Sequence, residues 1–324
     1  METSPRVKVA VVQAAPVLFD RDATLAKAGQ LAAAAGAQGA DLILFPEAFV
    51  PAYPRGLGFG TVVGSRSEAG RRLWQRYWAN AVEVPSPATE ALGAMASEAK
   101  AYLAIGVVER DRDYGGGTLY CTLLYFGPDG RLLGKHRKLK PTGAERLIWG
   151  EGDGSTLTVV QTPFGPVGGL ICWENLMPLA RAAMYAKGVH LYVAPTADAR
   201  DTWQATLRHI ACEGRCFVLG CNQFVTKEMY PADLEGIEGL AHQPDPLCRG
   251  GSAIVSPLGE VLAGPLWDQE GILYAELDMG AVVRARFDFD PVGHYARPDV
   301  LRLVVDERPK PPLVKEEPER ENGT

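Results

Sequence analysis

No run of apolar residues in this chain approaches the roughly 18 that a bilayer-spanning helix needs, and the opening METSPRVKVAVVQ carries no long apolar stretch of the signal-peptide kind. A membrane partner is therefore not expected, and a cytoplasmic location is. Basic charge is also short. The 33 Lys and Arg against 39 Asp and Glu leave a formal charge of −6 with a pI near 5.5, which gives nucleic acid or an anionic surface no footing. Cysteine is sparse, six in all with no C-x-x-C pair, so a disulfide scaffold is excluded. Of the six, Cys212, Cys216 and Cys221 lie near one another, but Cys216 opens the apolar run CFVLGC; packing accounts for them better than zinc, and no metal is expected. A nucleotide fingerprint is missing too. The glycines of VPAYPRGLGFGTVVGS, Val50 to Ser65, neither follow a strand nor open a helix at the required offset, which removes a nicotinamide-binding oxidoreductase.

What the chain does have is an ordinary globular composition, 47% hydrophobic and 22% charged over 324 residues, enough to bury a large core. Apolar strand runs alternate with helical spacing. VKVAVVQ (Val7 to Gln13), DLILF (Asp41 to Phe45), YLAIGVVER (Tyr102 to Arg110) and HLYVAPTA (His190 to Ala197) read as buried strands. Helices are predicted from about Ala23 to Gly36, Glu68 to Val82, Ala88 to Lys100, Leu176 to Lys187 and Trp203 to Arg215. Hairpins interrupt the alternation, among them Thr118 to Phe126 joined to Arg131 to Lys138 through GPDG. The sheets should therefore be mixed. One folded unit is expected over residues 1–306, followed by a proline-rich, charged and disordered tail over 307–324.

Three stretches offer chemistry. GGLICWEN, Gly168 to Asn175, puts Cys172 where a strand gives way to a helix, a turn whose positive potential can lower a thiol pKa. FPEAF puts Glu47 just past the carboxyl end of a buried strand, where open α/β sheets place their reactive groups. GKHRKLKPTGAER, Gly134 to Arg146, is a basic hairpin arm. Arg131 and Lys135 read as a solvated face, whereas Lys138 precedes a proline-punctuated loop and can point inward. Tyr53, Phe59, Trp149, Trp173 and Trp203 could either line a pocket or pack.

Taken together, FPEAFVPAYPRG, HRKLKPTGAER with WGEGDGS behind it, GGLICWENLMPLAR and DTWQATLRHIACEGRCFVLGCNQF resemble the nitrilase branch of the carbon-nitrogen hydrolase superfamily. The likeness runs from Val9 to beyond His294. It implies an α/β fold of four layers, an α-β-β-α sandwich, and association into homo-oligomers that extend into spirals. It places the family's catalytic glutamate on Glu47, its lysine on Lys138, its cysteine on Cys172 and a second glutamate on Glu145, seven residues beyond the lysine. Substrate contacts are expected at Tyr53 and Trp173. The implied reaction is hydrolysis of a small-molecule nitrile by water to a carboxylic acid and ammonia, without cofactor or metal, through a thioimidate and a thioester on Cys172. The competing expectations are an amidase or a cyanide-hydrating enzyme of the same superfamily and, from another class, a catalytically silent assembly module on the same fold.

Overall fold

A computed structural model describes residues 4–313. Two sheets form its centre. The first has six strands in the order Gly271–Asp278, Arg6–Gln13, Leu42–Leu44, Tyr102–Arg110, Leu119–Phe126 and Leu132–Arg137. Its middle three are parallel and its flanks antiparallel. The second has seven, with Val167–Gly169, Leu191–Pro195 and Phe217–Cys221 as its parallel centre. Both sheets are mixed, as the alternation of hairpins and helices requires.

The burial pattern explains the layering. Val7, Val9 and Val11 on alternate positions of the first strand face Leu191, Val193 and Leu219 in one apolar cluster between the sheets. The intervening Ala10 and Val12 pack with Leu25, Ala28 and Leu92 of two outer helices, Arg21–Ala37 and Pro87–Ala99. On the far side Tyr192, Ala194 and Val218 meet Met184, Leu207 and Ile210 of helices Pro178–Ala186 and Asp201–Gly214. Strands buried on both faces cannot alternate polar with apolar, which is why they read as continuous runs. The result is helix, sheet, sheet, helix.

Some elements differ from expectation. The glycine-bearing segment Val50 to Ser65, for which no strand was expected, runs into a two-stranded hairpin, Thr61–Val62 with Ser65–Arg66. The helix expected from Leu176 begins only at Pro178, because Cys172–Leu176 forms a 3-10 turn first. A short helix, Gly280–Ala285, was not read from the sequence. The expected tail lies outside the described residues from position 314 onward. Before that, Glu307 pairs with Lys187 at 2.6 Å and the Lys310 main-chain N–H donates to Asp153 at 2.8 Å. Among the described residues no helix is long and apolar enough to cross a membrane.

Candidate active site

The parallel strands in the middle of both sheets deliver their carboxyl ends to one place. Glu47 follows Leu42–Leu44, Cys172 follows Val167–Gly169, Thr196 follows Leu191–Pro195, and Asn222 and Gln223 follow Phe217–Cys221. Lys138 enters from the edge strand Leu132–Arg137, its main-chain N–H donating to the Cys121 carbonyl at 2.8 Å. Residues far apart in sequence meet because strand ends, unlike strand middles, are free of ladder constraints.

Two turns carry backbone strain. Ala48 sits at φ 46° and Cys172 at φ 52°, a region that residues with a Cβ seldom occupy. The turn at Cys172 is held from within, since Asn175 Nδ2 donates to the carbonyls of Leu170 and Cys172, each at 2.9 Å. Its Oδ1 accepts the Tyr192 hydroxyl at 2.8 Å. The Glu47 carbonyl is fixed by Gln223 Nε2 at 2.7 Å.

At the centre lies the Lys138 ammonium, fully buried, 2.6 Å from Glu47 Oε1 and 2.7 Å from Glu145 Oε2. Glu145 also accepts from the Tyr53 hydroxyl and the Thr142 main-chain N–H, both at 2.7 Å. Its reach to Lys138 comes from a 3-10 turn, Gly143–Leu147, that folds the loop back on itself. Arg146, the cation next to Glu145 in sequence, donates to the Pro141 carbonyl. Thr196 Oγ1 donates to Cys172 Sγ at 3.1 Å.

Burial and charge set the protonation states. Burial alone would strip the proton from Lys138, but Glu47 and the other anionic partners around it hold the ammonium well above the usual lysine range. Glu47 is pushed up from the ordinary carboxylate value by burial and by Glu145, with Lys138 and the Cys172 thiol pulling the other way. Its Oε2 accepts no hydrogen bond from the described residues. The Cys172 thiol is pushed up to about 12 by burial and then by Glu47. That corrects the sequence expectation of a lowered thiol. A single 3-10 turn of five residues supplies too little dipole to offset full burial beside two carboxylates.

A cleft of about 520 Å³ opens onto Cys172 and Glu145 and is lined also by Tyr53, Arg55, Trp173 and Asp198. Tyr53 and Trp173 both line the cleft, and each polar tip is committed: Tyr53 to Glu145, and Trp173 Nε1 to Asp198 at 2.8 Å. Phe59, Trp149 and Trp203 do not line it; all three are buried in packing. Charged side chains, Arg200 with Asp198 and Arg249 with Asp268, form much of its rim.

This arrangement of acid, ammonium and thiol can be set beside known proteins. The family model for carbon-nitrogen hydrolases matches residues 8–287. The chain belongs to the carbon-nitrogen hydrolase family. Among similar proteins are an aliphatic nitrilase of Sinorhizobium fredii, 56% identical over 95% of this chain and 98% of that one, and a bifunctional nitrilase/nitrile hydratase of Lupinus angustifolius, 52% identical over 96% of this chain and 89% of that one. Of solved structures, the NitFhit protein of C. elegans has the same fold at a TM-score of 0.72 and 20% identity, covering 96% of this chain and 69% of that one.

In this hydrolase several residues of the site escaped the sequence reading. Arg55, Asn175 and Gln223 lie inside the motifs that carry the resemblance, and Thr196 lies in a stretch read as a strand, but their spacing gives none of them a role. Lys135, read as a solvated face, pairs at 2.6 Å with Glu109, itself buried and shared with Arg137. Arg131 does lie exposed, paired with Asp129 two residues away.

Proposed function

We propose that this hydrolase is a nitrilase that converts a small-molecule nitrile and water to the carboxylic acid and ammonia, with Cys172 as nucleophile, Glu47 as general base and Lys138 as the positive charge beside the reacting carbon. The observation that carries the reading is the buried ammonium of Lys138 between Glu47 and Glu145, at 2.6 and 2.7 Å, with Glu145 in turn lining the cleft that reaches Cys172. Nitrilases about half identical over nearly the full chain support nitriles as the substrate class.

A nitrile carbon is a weak electrophile and calls for a strong nucleophile, which a thiolate is. A resting thiol near 12 has to lose its proton as it attacks, and Glu47, raised by burial, is a suitably strong acceptor. Sulfur bonds to the nitrile carbon, the nitrogen takes a proton, and a thioimidate results. Water, deprotonated by Glu47, adds to that carbon to give a tetrahedral species bearing hydroxyl, amino group and sulfur. Breaking the carbon–nitrogen bond with proton transfer to nitrogen releases ammonia and leaves a thioester. A second water frees the acid and restores the thiol. Lys138 stabilises negative charge on nitrogen and then oxygen, as an oxyanion hole does. Glu145, held by Tyr53 and Thr142, keeps the ammonium aimed.

If the tetrahedral species breaks its carbon–sulfur bond instead, the product is an amide. The relatives named bifunctional nitrilase/nitrile hydratase favour some amide release here as well. Assembly into a homo-oligomer larger than a dimer completes the proposal.

Ammonia release from aliphatic, aryl and arylacetonitriles, cyanide and the matching amides tests the substrate class. Turnover of amides alone would overturn it. Cys172→Ala should fold as the parent does and leave no more than trace turnover; substantial activity would remove Cys172 as nucleophile, and no covalent adduct after incubation with a nitrile would favour a silent module.

A further inference from the structure

A second buried charged cluster lies beside the site and takes no part in the chemistry above. Glu174, two residues after Cys172, and His136, two before Lys138, are both fully inside the protein. His136 Nδ1 faces the Thr156 carbonyl at 3.0 Å. A carbonyl only accepts, so Nδ1 carries hydrogen. His136 Nε2 faces both carboxylate oxygens of Glu174, at 3.2 and 3.0 Å. Each of those oxygens also accepts one main-chain N–H: Oε1 from Leu139 at 2.6 Å and Oε2 from Ile171 at 2.8 Å. Two amide donors on one carboxyl favour the ionised form, so the ring is an imidazolium donating from both nitrogens. Burial works against the charge on His136, but Glu174 more than offsets it and the ring's pKa is raised.

The two amides identify the purpose of the pair. Leu139 directly follows Lys138, and Ile171 directly precedes Cys172. One carboxylate therefore ties the backbone that presents the ammonium to the backbone that presents the thiol, across two different sheets. A buried ion pair is a poor device for stability alone, because apolar residues of similar volume do as well or better. It is a good device for fixing a distance, since it leaves no slack: both oxygens, both ring nitrogens and both amides are used.

We propose that Glu174, locked as an anion by His136, is a positioning residue that sets the spacing of Lys138 from Cys172 and thereby the partition of the tetrahedral species between acid and amide. The proposal rests on the nitrilase reading of the site. Loss of ammonia requires a proton at nitrogen and charge stabilisation at oxygen while the carbon–sulfur bond stays intact. If Lys138 shifts relative to Cys172, the competing cleavage of carbon–sulfur, with return of the proton to sulfur, gains on it.

Glu174→Gln keeps the shape but turns an NH₂ toward one of the two main-chain donors, and His136→Gln removes the lock. The expected result in both is a kcat lower by about tenfold to a hundredfold, a KM within about twofold of the parent, and a changed acid-to-amide ratio. That ratio does not depend on how much of the preparation is folded. A ratio equal to the parent's, with kcat per labelled Cys172 also unchanged and only the melting temperature lowered, would reduce the pair to a structural role and overturn the proposal. Should neither variant fold, nitrogen-15 shifts of His136 in the parent decide: an imidazolium at neutral pH supports the lock and a neutral ring overturns it. Turnover of nitriles by the parent tests the functional reading separately, and the kinetic comparison of variants holds on whichever carbon–nitrogen substrate the parent accepts.

Discussion

A thiol near 12 next to a raised carboxylate means that Cys172 rests protonated at neutral pH. The ultraviolet thiolate absorbance of the parent should therefore match that of Cys172→Ala until strongly alkaline pH; a thiolate signal from the parent at neutral pH would contradict this. The same shift has a consequence for stability. A thiol whose folded value lies above its unfolded value of about 8.5 holds its proton longer in the folded state. Its contribution is present below about 8.5 and is lost as pH rises toward about 12. Cys172→Ala should thus lose less stability than the parent between neutral and alkaline pH, measured by denaturant unfolding. Glu145 makes a second prediction at this scale. Glu145→Gln keeps the side chain's shape and discharges the partner of Lys138, so kcat should fall on the order of a hundredfold with KM little changed. Steady-state kinetics with kcat within about threefold of the parent would take Glu145 out of the site. The geometry already sets aside a surface pair with Arg146, because Glu145 is buried and its carboxylate is occupied by Lys138, Tyr53 and Thr142.

Elements matter here through their ends. The strand Leu42–Leu44 is only three residues long, yet it sets Glu47, because the chain beyond it lies flat against the neighbouring strand Tyr102–Arg110. Gly106 permits that approach: a Cβ on it would stand 2.2 Å from the Pro46 carbonyl oxygen and 2.8 Å from the Cα of Glu47. Neither atom is at the end of a flexible side chain. Gly106→Ala should therefore displace the Glu47 loop, lowering stability by about 1–3 kcal/mol and lowering kcat more than the loss of folded protein accounts for. Thermal melting together with kcat per titrated Cys172 measures both, and a fully active Gly106→Ala would show that the loop tolerates the shift. Gly169 serves the Cys172 side in the same way, with Val193 backbone filling the place a Cβ would need.

For the whole molecule, association is the open quantity. On the single chain, Leu179, Val283, Phe287, Leu301 and Val304 are largely exposed, and apolar side chains of this size are what the core of an association face buries. Light scattering should report a homo-oligomer larger than a dimer, and a monomer at working concentration would refute that. Removal of residues from Glu307 onward deletes the Lys187 pair and the Asp153 contact without touching Glu47, Lys138 or Cys172. Turnover per site should persist, whatever happens to assembly.

The sequence by itself determined the layered α/β class, because strands buried on both faces have to be continuous apolar runs and the helices between them have to show one apolar stripe. It also singled out Glu47, Lys138 and Cys172, and through the family resemblance Glu145, in three motifs that can be read in linear text. Tertiary structure alone decided what those groups are like. That Cys172 is a raised thiol rather than a lowered one depends on burial and on a carboxylate 125 positions away. That Glu145 faces Lys138 depends on one 3-10 turn. Neither the donor on Cys172, Thr196, nor the carboxylate joining the Lys138 and Cys172 backbones, Glu174, could be assigned from local pattern. Protonation and hydrogen bonding are set by what lies within a few ångströms, and in a two-sheet fold those neighbours come from strand ends that only the packing of the sheets brings together.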